Sequence, residues 1–233
     1  MTQVEFLAKY AARASFADLS AQSRKQLPVH ILDSIGCCIA ALGAGPVEAC
    51  RAQVADFGSD GPCALIGGGK ANPIYAAFWH TALVRYVDFM DNFLAATETC
   101  HTADNFGVAL TVTDYVGGSG RDLMLAVALS YTVQSRFVDH ANFMTRGFDH
   151  TTQLAFSLNA AAGRLLGMSE RQIANAIAMA AVSDAYGDVR YGFVLAGGFA
   201  SLLMLGLVFN WLANPAGRRL QHLDQAEYGS VCD

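Results

Sequence analysis

Three short stretches concentrate the groups that can move protons or hold an acid. They are Asp88-Phe89-Met90-Asp91-Asn92, then Glu98-Thr99-Cys100-His101-Thr102-Ala103-Asp104-Asn105, then Arg146-Gly147-Phe148-Asp149-His150-Thr151. An imidazole gives and takes a proton near neutral pH, and a neighbouring carboxylate fixes its tautomer and raises its basicity. The Arg146 guanidinium suits two-pronged binding of a substrate carboxylate. The same residues admit plainer roles. Asp88 and Asp91 could cap and solvate a loop, and His101 could bond a backbone carbonyl. Arg146 with Asp149 could form a surface ion pair worth about 0–1 kcal/mol. A metal is the rival chemistry, because Asp88, Asp91, Asp104 and His101 offer oxygen and nitrogen ligands to a divalent cation. Their spacing is irregular for such a site. His30, His80 and His222 have no polar neighbours in sequence that suggest a site.

The elements that must position these groups read as helices rich in Ala and Leu. Ile31, Ile35 and Ile39 recur at helical spacing with Leu32 and Leu42, behind Pro28 as a first-turn proline. A shorter helix is expected over 47–57. Cys63 to Ile66 is the one strand-like stretch. Asn72-Pro73 begins a helix that runs to about Val87. Residues 88–106 read as a loop. Helices follow at about 107–116, 122–140 and 152–166, the last closed by Gly167. Ser169 to Gln172 forms a capping box for the next helix. Strand–helix alternation is absent, which excludes a doubly wound sheet. Two tempting motifs fail. Gly69-Lys70 lacks both the earlier glycine and the following Ser or Thr of a phosphate loop. Gly117-Gly118-Ser119-Gly120 has Arg121 where a nucleophile elbow needs glycine.

Composition adds limits. The chain has 233 residues, of which 53% are hydrophobic and 15% charged, against roughly 25% charged in an average soluble domain. This excludes a disordered chain and calls for something to cover the excess apolar surface. The net charge of −5, from 20 acidic and 15 basic residues, gives no basic face for nucleic acid. None of the six cysteines forms a CxxC pair, so buried thiols in a reducing compartment are expected. The N-terminus lacks a signal peptide's basic and apolar regions, which points to the cytoplasm. Residues 191–214 carry no charge. That length can span a bilayer of about 20 apolar residues, or form a helix buried in a helical protein.

At the three stretches the chain resembles the MmgE/PrpD family, which includes 2-methylcitrate dehydratases and cis-aconitate decarboxylases. The resemblance begins at Leu32-Asp33-Ser34-Ile35-Gly36-Cys37 and runs through Arg85-Tyr86-Val87-Asp88-Phe89-Met90-Asp91. It continues at His101, Asp104-Asn105, the Arg146–Thr151 stretch and Ala161-Ala162-Gly163-Arg164-Leu165-Leu166-Gly167. The run from Asp88 to Asn105 is most similar to the 2-methylcitrate dehydratase branch. The resemblance implies an all-α helical domain over 1–185, to which the family adds a smaller α+β lid, usually in a homodimer. It implies chemistry without an iron–sulfur cluster; no cofactor or metal is expected, and the substrate is expected to be a small carboxylic acid. By motif, Asp88, His101 and His150 correspond to catalytic positions. Asn92 stands at a substrate-binding position that is often Thr. Arg146 joins them by its charge and placement. The implied reaction is proton abstraction beside a carboxylate with loss of water from a tricarboxylic hydroxy acid. His101 would serve as base or acid, oriented by Asp88, and His150 would protonate the departing hydroxyl or hold a carboxylate.

The match ends after Asp184. Gly197 stands where the family typically has a lysine, and no lysine follows Lys70. Residues 186–233 are therefore read as a divergent apolar tail, with the lid missing. Two functions stay open: a lyase of this type, or a non-catalytic helical fragment that acts by association with a partner subunit or membrane. A membrane is the less expected partner, and nucleic acid is not expected.

Overall fold

The computed structural model describes residues 1–185 except Ser59, Thr97, Asn142, Gly147 and His150. Among the described residues the chain is all-α, with eight α-helices and two minimal hairpins. The expected catalytic His150 and the apolar tail 186–233, including 191–214 and Gly197, lie outside the described residues.

Helix α1 spans Gln3–Arg13 and starts at a capping box: Thr2 Oγ1 accepts the Glu5 N–H, and Glu5 Oε2 accepts the Thr2 N–H. Helix α2 spans Ala21–Ala41, capped by Ser20. Pro28 is therefore interior to α2 rather than in its first turn. The helix gives up one internal hydrogen bond there, because proline has no N–H to donate. The apolar stripe is helical as expected, but its packed side is Leu27, Cys37, Cys38 and Ala41, while Leu32 and Ile39 stay exposed.

Helix α3 spans Gly45–Phe57. Strands β1 (Cys63–Ala64) and β2 (Lys70–Ala71) form a short antiparallel pair. Helix α4 spans Pro73–Tyr86, and Asn72 Oδ1 accepts the N–H groups of Ile74 and Tyr75 at its start. The stretch expected as loop contains a hairpin of β3 (Phe93–Leu94) and β4 (Thr99–Cys100), then a 3₁₀ turn over Thr102–Asn105. Strands of two residues leave no alternating pattern long enough to read from sequence. Helices α5 (Phe106–Tyr115), α6 (Gly120–Ala141), α7 (Thr152–Leu165) and α8 (Glu170–Ala185) follow. Ser169 and Gln172 make the expected capping box, and Gly167 closes α7 at φ +66°.

Helices α4 and α5 pack closely, as do α6 with α7 and α1 with α8. The main core gathers Trp79, Leu83 and Val84 of α4, Phe106 of α5 and Val127 of α6. A second core joins Ala8 and Ala11 of α1 to Leu129, Val133, Phe156, Ala160, Ile173 and Ile177. Each fully buried large apolar side chain stabilises the fold by about 1.5–3 kcal/mol. The α4–α5 contact is close because Gly107 has no side chain: a Cβ there would meet the Thr81 backbone N at 2.5 Å.

His80 finds its polar partners across the fold rather than beside it in sequence. Its Nε2 accepts the Ile66 N–H at 3.2 Å, and its Nδ1 faces Thr111 Oγ1 at 2.8 Å. Burial holds its pKa down at about 4. It is a neutral structural histidine that closes the Cys63–Gly69 loop over α4 and α5.

Candidate active site

Asp88 to Asn105 link the end of α4 to the start of α5, and the β3–β4 hairpin folds this link back on itself. Phe93 pairs with Cys100 and Leu94 with Thr99, and the Ala95 N–H donates to the Glu98 carbonyl at 2.9 Å. The same register continues beyond the strands as side-chain bonds. Asn92 Oδ1 pairs with His101 Nδ1, and Thr102 Oγ1 donates to Asp91 Oδ1 at 2.8 Å. Alternate rungs of an antiparallel pair point to opposite faces. One face carries Asp91, Thr102 and Cys100, which are half-buried or buried; the other carries the exposed Asn92, Leu94 and Thr99 with half-buried His101.

On the outward face, Asn92 accepts from His101 with its amide oxygen, so Nδ1 carries the hydrogen. In a neutral ring so bonded, Nε2 is the nitrogen that can take a proton. Asn92, not Asp88, is the partner on His101 Nδ1. Asp88 stands at the C-terminal end of α4 with φ +51°, a left-handed conformation that Asp tolerates. Its carboxylate takes a 2.8 Å bond from Arg85 Nη1. The Asp88 side chain is 71% exposed, so this pair contributes no more than about 1 kcal/mol.

On the inward face, Asp91 collects donors from two further helices. His30 Nδ1, from α2, lies 2.6 Å from Oδ2, and Tyr131 O–H, from α6, lies 3.1 Å from Oδ2. Burial, and then the Asp91 charge, push the Tyr131 hydroxyl far up, so it stays protonated and donates. His30 thus has the polar company its sequence neighbourhood does not show.

Beneath the hairpin is a layer of buried polar side chains. Glu98 accepts the Phe143 N–H at 3.0 Å and Gln153 Nε2 at 2.7 Å. Asn105 donates to the Thr102 carbonyl and to Gln134 Oε1, and accepts from Ser157 Oγ at 2.6 Å. Phe143 begins the turn Met144–Arg146, so Glu98 ties the exposed Arg146 to the hairpin that carries His101. Asn92 and His101 are joined directly; Arg146 is joined to them through the Glu98 tether; Asp88 is held separately by Arg85. Cys100 is buried, and desolvation followed by the Glu98 charge pushes its thiol up to about 12, so it is no nucleophile.

Among the described residues no group of three or more His, Cys, Asp or Glu side chains is placed to hold a metal ion. The rival metal set of Asp88, Asp91, Asp104 and His101 therefore does not assemble: Asp91 faces inward to His30 and Tyr131, and His101 faces outward to Asn92. A cavity of about 400 Å³ opens between α1, the Phe16–Asp18 turn and α6, lined by Phe6, Tyr10, Leu19 and Leu129. None of Asp88, Asn92, His101 or Arg146 lines it. Among the described residues no single helix is long and apolar enough to cross a membrane.

Sequence reasoning missed His30, Tyr131, Gln134, Gln153 and Ser157. Each stands on a helix some 29 to 61 residues from its loop partner, so no local pattern marks it.

Residues 5–187 match the MmgE/PrpD N-terminal domain. The chain is 25% identical over 195 residues to a 2-methylcitrate dehydratase of Cupriavidus necator, covering 76% of this chain and 38% of that protein. It is 27% identical over 168 residues to a 2-methylcitrate dehydratase of Escherichia coli K12, covering 64% and 33%. It is also 27% identical over 212 residues to the alkylcitrate dehydratase phiI of a fungal species, covering 84% and 40%. The chain spans about a third to two fifths of the length of these curated relatives.

Proposed function

This chain belongs to the MmgE/PrpD family, and on that premise we propose that it is the helical part of a hydro-lyase that dehydrates a small tricarboxylic hydroxy acid of the 2-methylcitrate type. The observation that carries this reading is the Asn92–His101 pair on the outward face of the hairpin. With the hydrogen held on Nδ1, Nε2 is the nitrogen that takes the proton in this reading. In the proposed reaction His101 takes the proton from the carbon beside a substrate carboxylate. The C–H electron pair becomes the new double bond, and the hydroxyl on the adjacent carbon leaves. His150 gives that hydroxyl its proton, so that water departs. Arg146 holds a carboxylate and stabilises the negative charge that develops there. Asp88, exposed and held by Arg85, stands at the same end of α4 as a further polar contact. The complete site would be closed by the lid of the family architecture, in a cytoplasmic homodimer.

The exposed apolar side chains support a second reading. Phe89 is 85% exposed and Leu94 74%, which suits a helical fragment that works by association rather than catalysis. One experiment separates the two. Dehydration of 2-methylcitrate and related tricarboxylic acids is followed for the purified chain beside its elution on a sizing column, with His101→Ala in parallel. Activity in a soluble dimer, lost about 100-fold or more in His101→Ala, supports the lyase. An inactive aggregate supports the fragment, and full activity in His101→Ala removes His101 from the mechanism.

A further inference from the structure

We propose that Asp91 is the positioning residue of this site, acting on His101 through the register of the hairpin rather than on the substrate. The inference rests on the reading of His101 as the acid–base group. Strands β3 and β4 contribute only two backbone pairs, Phe93 with Cys100 and Leu94 with Thr99. So short a ladder fixes register weakly, and a slip of one residue turns every side chain to the opposite face. Such a slip would bury His101 and break its bond to Asn92. The rung next to that bond is Asp91 with Thr102, at 2.8 Å. Asp91 immediately precedes Asn92, and Thr102 immediately follows His101.

Asp91 is itself pinned from outside the loop. His30 Nδ1 approaches Oδ2 to 2.6 Å, and the Tyr131 hydroxyl lies 3.1 Å from Oδ2 and 3.3 Å from Oδ1. The carboxylate thus collects donors from α2, α6 and the start of the 3₁₀ turn. Charge-assisted bonds of this kind are stronger than neutral ones. Two long helices thereby set the face on which His101 stands, and with it the tautomer that Asn92 selects. Free imidazole favours the hydrogen on Nε2, so the Nδ1–H form is a signature of the positioned state.

The test is a long-range proton–nitrogen NMR spectrum of the full chain near neutral pH, with His101 assigned through His101→Gln. The wild type is expected to show His101 as the Nδ1–H tautomer. Asp91→Ala and Thr102→Val, both folded by circular dichroism, are expected to shift His101 toward the Nε2–H form while exposed His140 on α6 stays in place. An Nε2–H tautomer in the wild type, or His101 resonances unchanged in the folded variants, overturns the proposal. If Asp91→Ala does not fold, Thr102→Val, which keeps the side-chain shape and removes one rung, decides by the same criterion. The dehydration rate of the wild type is measured separately. A tautomer shift in an inactive chain keeps the positioning role and sinks the lyase reading, whereas unchanged resonances in an active chain do the reverse.

Discussion

Glu98 accepts the backbone N–H of Phe143 at 3.0 Å, and this bond joins the hairpin that carries His101 to the turn that carries Arg146. The two partners are 45 residues apart in sequence. With Gln153 on its other oxygen, the buried Glu98 carboxylate is the hinge pin between two of the three chemically rich stretches.

Glu98→Ala should therefore do two things. It strands the Phe143 N–H and the Gln153 amide, which costs about 1–3 kcal/mol for each buried donor left unmade. A thermal melt should fall by several degrees, at roughly 2–4 °C per kcal/mol for a chain of this size. In an active preparation KM should rise more than kcat falls, because the turn bearing Arg146 loses its anchor. A melt that matches the wild type would sink the tether.

Asn92→Ala removes the acceptor on His101 Nδ1. The bond is worth about 1 kcal/mol, so kcat is expected to fall roughly tenfold once tautomer selection is lost as well. Asn92→Thr keeps an oxygen acceptor and should retain most of the rate. Steady-state kinetics on both variants check this, and equal losses in the two would exclude an acceptor role.

His80 sets an acid limit on stability. Its folded pKa is held at about 4 by burial, below the ordinary value of 6.5. Above pH 6.5 neither state is protonated and nothing is lost. As pH falls from about 6.5 to about 4, the unfolded chain takes up a proton that the folded chain refuses, so stability drops. At about 1.4 kcal/mol per pKa unit, the loss approaches about 3 kcal/mol near pH 4. Urea titrations at pH 7 and pH 5 should show it. His80→Gln, which keeps an acceptor for the Ile66 N–H, should be less stable at pH 7 but flatter with pH; an unchanged slope would remove His80 as the cause.

Gly107→Ala tests the packing of α4 on α5. The added Cβ would meet the Thr81 backbone N at 2.5 Å, and backbone cannot swing aside. Overpacking of this kind costs about 1–3 kcal/mol. Denaturant unfolding should show a lower midpoint, and helix α5 amides should exchange faster.

Much of the fold was legible in the sequence. The Asn72-Pro73 start of α4 and the Ser169–Gln172 box of α8 are local signals in which a side chain bonds the backbone within three residues, and the Gly167 stop of α7 is a local backbone turn at positive φ. Pro28 misled because a proline ring permits the first turn of a helix and is tolerated within one at the loss of a single bond. The 88–106 stretch read as a loop because its order comes from two backbone rungs and two side-chain rungs.

The amino-acid sequence by itself determined the helical class, the family and the three stretches that hold the proton-moving groups. Those follow from local capping, apolar periodicity and motif order, which need no knowledge of distant neighbours. Only the tertiary structure decided which of those groups meet. Asn92 takes the place beside His101 expected of Asp88, because the hairpin register pairs residue 92 with residue 101 while Arg85 holds the exposed Asp88. His30 and Tyr131 converge on Asp91 because α2 and α6 pack against the same loop. Long-range pairing of this kind depends on how helices stack, and no spacing along the chain encodes it.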